Sequence, residues 1–200
     1  MGSTRSGVKD QTVWVRYDWD LRAELPENAA PSGYRFRSAM EDELQVVTNT
    51  VITAYSSDPV WSTIIEDIER RMTDRIATTL GQPATDYIVA DLSGEVVAVS
   101  GIALSHWTQQ NFLTGLCVLP SQQKKGLGKH LLYLSLARLK RMGAQEASVY
   151  TERGSVADTR LYRYFDSVRQ EDVAYPALSP SPESANKFDK ASPSKTDTEC

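Results

Sequence analysis

The sequence predicts an α+β domain with a mixed sheet and helices on both of its faces. Stretches of alternating or continuous apolar residues, typical of strands, lie between stretches whose apolar residues recur at helical spacing. Their order along the chain is β–α–α–β–β–β–α–β–α, with further candidate strands at both ends. The 200 residues, of which 40% are hydrophobic, suffice for one compact core of ordinary size.

The first 33 residues are predicted to be an N-terminal extension of the domain. Residues 1–11 are polar, and Thr12–Trp19 alternates in polarity as a short strand does. Such a strand could lie at an edge of the sheet. Glu24–Gly33 contains two prolines and is typical of a linker, and a second strand is expected over Tyr34–Ala39.

Two helices are expected next. Ser38–Glu41 has the S-x-x-E form of a capping box, which marks the start of the first. The second should begin with Asp58 as its N-cap and Pro59 as its first residue. Apolar residues then recur at helical spacing from Trp61 to Leu80, and Gly81 ends the pattern.

The remaining strand candidates follow in the second half of the chain. Asp86–Asp91 and Glu95–Leu104 flank the turn residues Ser93-Gly94, which predicts a hairpin. Ala147–Thr151 is rich in β-branched and aromatic residues, and Val168–Tyr175 could form a last strand. Residues 179–200 are rich in Ser, Pro and Lys, so we expect a disordered tail there.

Composition excludes several classes of protein. A formal charge of -4 argues against a general nucleic-acid binder. Cys117 and Cys200 are the only cysteines, which is too few for a disulfide framework and fits a reducing compartment. No apolar run approaches the ~20 residues that span a bilayer, and the first residues lack the apolar segment of a signal peptide. We therefore expect a cytoplasmic protein that binds neither nucleic acid nor membranes.

The stretch Phe112–Gly143 has the form strand, turn, helix. The apolar strand Phe112–Leu119 precedes a turn framed by Gly126 and Gly128, and the helix begins at Leu127. The first turn of a helix has unpaired N–H groups and the positive end of the helix dipole. Glycines let a ligand approach the main chain closely. The stretch therefore predicts a binding site for a phosphate or a pyrophosphate.

The spacing of the motif narrows the choice of ligand. A Walker loop fails because Gln123 and His130 occupy its first and last defined positions, and a dinucleotide fingerprint fails because Leu131 replaces the third glycine. The pattern that fits is Q-x-x-G-x-G at Gln123–Gly128, which, after an apolar strand, resembles the coenzyme A pyrophosphate loop of the GNAT acetyltransferases. The resemblance covers about Tyr34 to Tyr175.

This resemblance implies a GNAT domain over residues 34–178, with a mostly antiparallel sheet and a splayed central pair of strands. It also implies acetyl-CoA as a co-substrate, no metal, and a possible homodimer. The strand would pair with the pantetheine arm, and the turn would bind the pyrophosphate through main-chain N–H groups. The predicted coenzyme contacts are Leu116, Cys117, Val118, Gln123, Lys124, Lys125, Gly126, Leu127, Gly128, Lys129 and Ser155.

Tyr162 is the predicted general acid. Leu161–Phe165 resembles the L-Y-x-x-x-G-F helix of the family, whose tyrosine often protonates the departing thiolate. With an ordinary pKa of about 10, a tyrosine is protonated at neutral pH. The sequence departs from the family pattern in two places: Asp166-Ser167 replaces Gly-Phe, and the upstream asparagine position falls at Val156.

The general base is left open among His106, Glu66, Glu152, Asp58 and a bound water. A cysteine inside an apolar strand is usually a small buried hydrophobe, so Cys117 is not expected to be a nucleophile.

The first two helices and the loop between them usually shape the acceptor side of the cleft in this family. Tyr55, Asp58, Trp61 and His106 would form an aromatic, weakly acidic wall that suits a cationic amine. The predicted function is transfer of the acetyl group of acetyl-CoA to a primary amine by direct attack in a ternary complex. The alternatives are a non-catalytic acyl-CoA-binding sensor or interaction module, and a nucleotide-binding protein.

Overall fold

The computed structural model describes residues 13–59, 61, 65–105 and 109–173. The strands are β1 (Trp14–Asp20), β2 (Arg35–Ser38), β3 (Thr85–Leu92), β4 (Glu95–Ala103), β5 (Phe112–Val118), β6 (Glu146–Glu152) and β7 (Val168–Val173). The helices are α1 (Leu44–Ser56), α2 (Ile65–Thr79) and α3 (Leu127–Arg141). The tail predicted over residues 179–200 lies outside the described residues.

The strands form two antiparallel sheets. β2, β3, β4 and β5 pair in that order in one sheet, and β6, β1 and β7 pair in the other. In the described part of the chain no ladder joins β5 to β6, so these two strands diverge between the sheets. The prediction of an α+β fold with a mostly antiparallel sheet and a splayed strand pair is confirmed.

Helices cover both faces of the four-stranded sheet. On one face α1 and α2 pack on the strands through a cluster that includes Val51, Ile76 and Val99. On the other face α3 packs through a cluster that includes Leu132 and Leu136, which extends to the buried side chains of β1 and β6. The second cluster joins the two sheets, and the cleft described below lies where they separate.

The N-terminal strand is central rather than at an edge. β1 pairs with β6 on one side, where Tyr17 faces Val149, and with β7 on the other, where Tyr17 faces Arg169. Val15 and Tyr17 are fully buried. Alternation in the sequence shows that one face of a strand is buried, but it carries no information about which strands lie beside it. The expected edge position was therefore wrong.

The first helix begins later than the sequence predicts. Ser38 ends β2 instead of capping a helix, and a 3₁₀ turn at Glu41–Glu43 precedes α1. The Glu43 carboxylate accepts the N–H of Met40 at 2.8 Å, so the capping contact lies two residues further along the chain. Helical periodicity locates the buried face, whereas the ends depend on local hydrogen bonds.

The second helix also differs at its start. Asp58 and Pro59 lie in a turn after α1, and the Asp58 carbonyl accepts the N–H of Trp61 at 3.1 Å. α2 is described from Ile65 onward. Asp58 is therefore a turn residue at the end of α1, which places its side chain at the mouth of the cleft.

Candidate active site

A cleft of about 620 Å³ opens where β5 and β6 diverge. Its walls come from these strands, from α1 and α2, from the turn before α3 and from the segment after β6. The predicted site residues that line it are Leu116, Cys117, Val118, Gln123, Lys124, Gly126, Leu127, Gly128, Lys129, Ser155, Tyr162, Tyr55, Asp58 and Trp61. Lys125 does not line the cleft, and His106 lies outside the described residues.

β5 carries a bulge in the middle of the cleft wall. Ser100 pairs with Leu116 and Ile102 pairs with Phe112, so two steps along β4 face four steps along β5. Gly115 lies in this bulge with a φ of +67°, a left-handed conformation that glycine adopts without strain. The extra residues leave the regular ladder with β4.

Two tyrosine hydroxyls approach the bulge from different elements. A Cβ added at Gly115 would lie 3.5 Å from the hydroxyls of both Tyr55 and Tyr162. The Tyr55 hydroxyl donates to the carbonyl of Thr114 at 2.9 Å. Gly115 thus keeps open a small space between two hydroxyls. The sequence analysis did not single out Gly115, although a glycine inside an apolar strand often marks a bulge or a close approach.

Cys117 lies beside this space as a buried thiol. It is 5% exposed, and it donates to the Thr114 carbonyl at 3.4 Å. Burial raises the pKa of the thiol to about 12, so the group is protonated at neutral pH. Since the thiolate is the reactive form, these properties support the interpretation of Cys117 as a packing residue.

The turn before α3 presents main-chain donors. Gln123–Gly126 is exposed, and Gly126 precedes the helix with a φ of +85°. No side-chain hydrogen bond caps the helix, and the N–H groups of the first helical residues have no acceptor within the helix. The side chains of the neighbouring lysines are engaged elsewhere: Lys125 donates to Gln122 at 2.8 Å, and Lys129 lies 4.3 Å from the centre of the Tyr164 ring. A diphosphate would therefore meet chiefly backbone amides.

Tyr162 is held in an aromatic cluster with its hydroxyl toward the bulge. The residue is 3% exposed, and its ring centre lies 5.8 Å from that of Tyr17, 6.0 Å from Trp19 and 6.3 Å from Phe112. Burial, with a smaller contribution from Cys117, raises the pKa of the hydroxyl. Tyr162 is thus a protonated donor whose position depends on two residues of β1.

The segment that carries Tyr162 is a π-helical turn, not the α-helix that the sequence predicts. Ala157–Leu161 forms the turn, and the Tyr162 N–H donates to the Ala157 carbonyl at 2.8 Å. Phe165 and Asp166 then take φ values of +63° and +56° and end it. Asp166 occupies the position where the family motif has glycine, and it adopts a left-handed conformation that aspartate tolerates better than most residues.

Asp158 fixes this turn to the three-stranded sheet. The carboxylate is 2% exposed and accepts hydrogen bonds from the Tyr17 hydroxyl at 2.6 Å, the Gly154 N–H at 2.7 Å and Arg169 Nε at 2.7 Å. Burial alone would raise the pKa of Asp158, but these hydrogen bonds outweigh burial and hold the pKa well below its usual range. The network joins β1, β7 and the turn before Tyr162.

The side of the cleft predicted to bind the acceptor has an aromatic wall. The ring centre of Trp61 lies 5.8 Å from that of Tyr55 and 6.0 Å from that of Trp14. Trp14 comes from β1, and the sequence analysis did not consider it because the strand was assigned to an extension. Glu152 faces Trp14 across the β1–β6 ladder, and burial together with the Asp58 carboxylate raises the pKa of Glu152.

The helix α2 presents cations to the same cleft. Arg71 and Arg75 both line it, and Arg75 is only 8% exposed. The Arg75 Nη1 atom donates to the carbonyl of Leu113 at 2.6 Å, next to the bulge. Neither arginine was among the site residues predicted from the sequence.

The described residues form three α-helices, α1, α2 and α3. No helix among them is long and apolar enough to cross a membrane. Nor do these parts of the chain bring together three His, Cys, Asp or Glu side chains that could hold a metal ion.

Comparison with known proteins identifies relatives of this chain. Residues 49–166 match the acetyltransferase (GNAT) family. A mycothiol acetyltransferase of Segniliparus rotundus is 27% identical over 177 residues, which cover 84% of this chain and 64% of the relative. The chain thus spans less than two thirds of the length of that curated relative.

Solved structures share the fold. A GCN5-related N-acetyltransferase from Sphaerobacter thermophilus superposes with a TM-score of 0.52 at 15% identity, covering 84% of this chain and 55% of the other. A conserved protein of unknown function from Staphylococcus epidermidis superposes with a TM-score of 0.55 at 13% identity, covering 80% and 58%. At these identities the likeness concerns the architecture alone.

Proposed function

The chain belongs to the GNAT acetyltransferase family, and from this premise we propose that it transfers the acetyl group of acetyl-CoA to a primary amine. The observation that carries the proposal is the cleft, which brings exposed main-chain donors, a bulged strand and a buried tyrosine hydroxyl to one space. The mycothiol acetyltransferase relative is consistent with acetyl transfer.

The coenzyme would bind along β5 and the turn before α3. One edge of β5 pairs with β4, while the other faces the cleft because β6 belongs to the second sheet. Backbone groups of Leu116–Val118 could therefore pair with the amides of a pantetheine arm, as an added strand would. The amides of Gly126–Lys129 would bind the diphosphate at the helix N-terminus. Acetyl-CoA itself supplies the activated acyl group, a thioester.

The reaction requires the amine as its free base. Its nitrogen lone pair forms the new C–N bond, the C–S bond breaks, and the amine loses one proton. Tyr162 would donate its proton to the departing sulfur and then recover a proton from solvent. The raised pKa of its hydroxyl favours this recovery. Asp58 and Glu152 are described carboxylates at the acceptor end that could accept the proton of the amine, and water in the open cleft could serve the same role.

We place the start of the functional domain at β1 rather than at residue 34. β1 pairs with both β6 and β7, and its side chains hold Tyr162. A chain that begins at residue 34 would lack the central strand of the second sheet.

The test is a paired measurement of binding and turnover on the full chain. Calorimetry should detect acetyl-CoA binding, and a thiol-detection assay should report release of free coenzyme A in the presence of primary amines. Binding of acetyl-CoA without thiol release from any amine would favour a non-catalytic module. Binding of ATP in preference to acetyl-CoA would contradict the proposal and favour a nucleotide-binding protein.

A further inference from the structure

Arg75 is a buried cation with no counter-ion among the described residues. It is 8% exposed, and no carboxylate of the described residues lies within 4.0 Å of its guanidinium. Within the described part of the chain its guanidinium donates one hydrogen bond, to the Leu113 carbonyl at 2.6 Å, although it has five N–H donors. A buried charge is costly unless an opposite charge compensates it. Since Arg75 lines the cleft, that charge could come from a ligand.

Arg71 extends this positive surface by one helical turn, about 6 Å along α2. It pairs with Asp67 at 2.6 Å, but Asp67 also pairs with Arg70 at 2.6 Å, so two arginines share one carboxylate. The other acidic residues of the helix are exposed and do not line the cleft: Glu66, Glu69 and Asp74. The cleft face of α2 therefore has an excess of positive charge.

Other residues of the lining have a different chemistry. Trp14, Trp61 and Tyr55 present aromatic rings, and Asp58 adds a carboxylate. A molecule bound in the cleft would thus meet the cations of α2 together with an apolar, weakly acidic surface. This arrangement suits a ligand that carries a carboxylate, an amine and an apolar body together.

We propose that the acceptor is an amino carboxylate, with its carboxylate bound by Arg71 and Arg75 and its apolar body against Trp14 and Trp61. This inference rests on the proposed function and specifies its substrate class. Arginine is well matched to a carboxylate because its planar fork donates two parallel hydrogen bonds. Arg75 also contacts the bulged strand, so a carboxylate held there would keep the amine near the space at Gly115.

The experiment compares three acceptors that share one aromatic body. L-phenylalanine, its amide and phenethylamine differ only in the group at the α-carbon, and acetyl transfer to each is followed by release of free coenzyme A. We expect kcat/KM for the amino acid to exceed that for both others by about 10- to 100-fold, the range for charge-assisted hydrogen bonds.

Variants connect this preference to α2. Arg71→Gln should reduce the preference to within about threefold, mainly through the KM of the amino acid. Arg70→Lys is the control, because lysine keeps the charge that pairs with Asp67, and Arg70 lies on the same helix, has a side chain 71% exposed and does not line the cleft. Arg75→Lys retains the charge but loses the planar fork, and it should weaken the preference partially. Thermal melts of each variant check folding.

The outcomes separate this inference from the proposed function. Equal or better use of the amide or of phenethylamine would overturn the amino-carboxylate acceptor and leave amine acetylation intact. Acetyl-CoA binding without transfer to any amine would overturn both. If succinyl-CoA replaces acetyl-CoA as the preferred donor and Arg71→Gln abolishes that preference, the carboxylate belongs to the acyl group, and the proposal is wrong.

Discussion

The two ends of the cleft, which we propose bind the coenzyme and the acceptor, are built from the chain in different ways. The coenzyme end comes from one continuous stretch, in which β5, a turn and α3 follow each other directly. The acceptor end combines Trp14 of β1, Trp61 of the turn after α1 and Arg75 of α2. A continuous stretch has a recognisable sequence pattern, whereas an assembled wall depends on how distant segments pack. Because the two ends come from different parts of the chain, substitutions at one end should leave binding at the other end unchanged.

Tyr162→Phe should have the largest effect, because Tyr162 lies where the two ends meet. Loss of the hydroxyl removes the proposed proton donor, so kcat should fall by about 10²- to 10⁴-fold. The dissociation constant of acetyl-CoA and the KM of the acceptor should stay within about twofold, since the ring is retained. Steady-state kinetics and calorimetry provide both values. An unchanged kcat would show that Tyr162 is only a packing residue.

The same tyrosine leads to a prediction for the pH profile. Because burial raises the pKa of Tyr162, the donor stays protonated throughout the neutral and mildly alkaline range. The kcat of the wild-type protein should therefore show no descending limb below about pH 10. A decline between pH 7 and 9 that disappears in Tyr162→Phe would contradict this assignment.

Trp19→Ala tests whether β1 is integral to the fold. Trp19 is 1% exposed and packs on Tyr162 and Phe112. Truncation should lower the free energy of unfolding by about 3–5 kcal/mol, the range for aromatic side chains in cores. Urea denaturation measures the change. The control is Val13→Ala, because Val13 is 37% exposed and immediately precedes the same strand. Equal stability of the two variants would mean that β1 is dispensable.

Asp158→Asn tests the network that supports the acid. The variant leaves Arg169 without its buried counter-ion and should lose about 2–3 kcal/mol of stability at neutral pH. The folded-state pKa of Asp158 lies below the unfolded value, so its contribution is present above pH ~4 and is lost as the pH falls further. The stability difference between wild type and variant should therefore be constant above about pH 5 and shrink progressively as the pH falls below about 4. A difference that does not depend on pH would contradict the role of the carboxylate charge.

Gly126→Ala tests the coenzyme end alone. At a φ of +85° an alanine is strained, and relief of the strain would distort the turn, so acetyl-CoA should bind about 5- to 10-fold more weakly. Gly143→Ala is a matched control, because Gly143 has a φ of +99° just beyond the other end of α3. The control should be destabilised without losing coenzyme affinity. Equal coenzyme affinity of the two variants would show that strain at the turn is irrelevant to binding.

Asp58→Asn should have the smallest effect and only at the acceptor end. Removing the carboxylate from the cleft mouth should raise the KM of a cationic acceptor about threefold, as expected for a partly exposed charge. The affinity for acetyl-CoA should not change. If the KM of every acceptor is unaltered, Asp58 does not belong to the acceptor site.

Sequence patterns were most informative where neighbours in the chain are also neighbours in space. The strand from Phe112, the turn at Gly126 and the helix from Leu127 were all predicted at or within a residue of their observed positions. Gly143, which ends the stretch, follows the helix in a left-handed conformation with a φ of +99°. Each of these features depends on contacts within a few residues, such as a helix N-terminus or a glycine in a turn.

The sequence by itself determined the family, the order of the elements and the amide-rich turn, because local periodicity and backbone preference specify them. Only the tertiary structure decided that β1 lies between β6 and β7 and that Arg75 faces the cleft. Strand pairing joins residues more than a hundred positions apart, and its hydrogen bonds are formed by the same backbone groups in every strand. The physical reason is that backbone pairing is nearly independent of residue type, so the packing of the whole chain selects the partner.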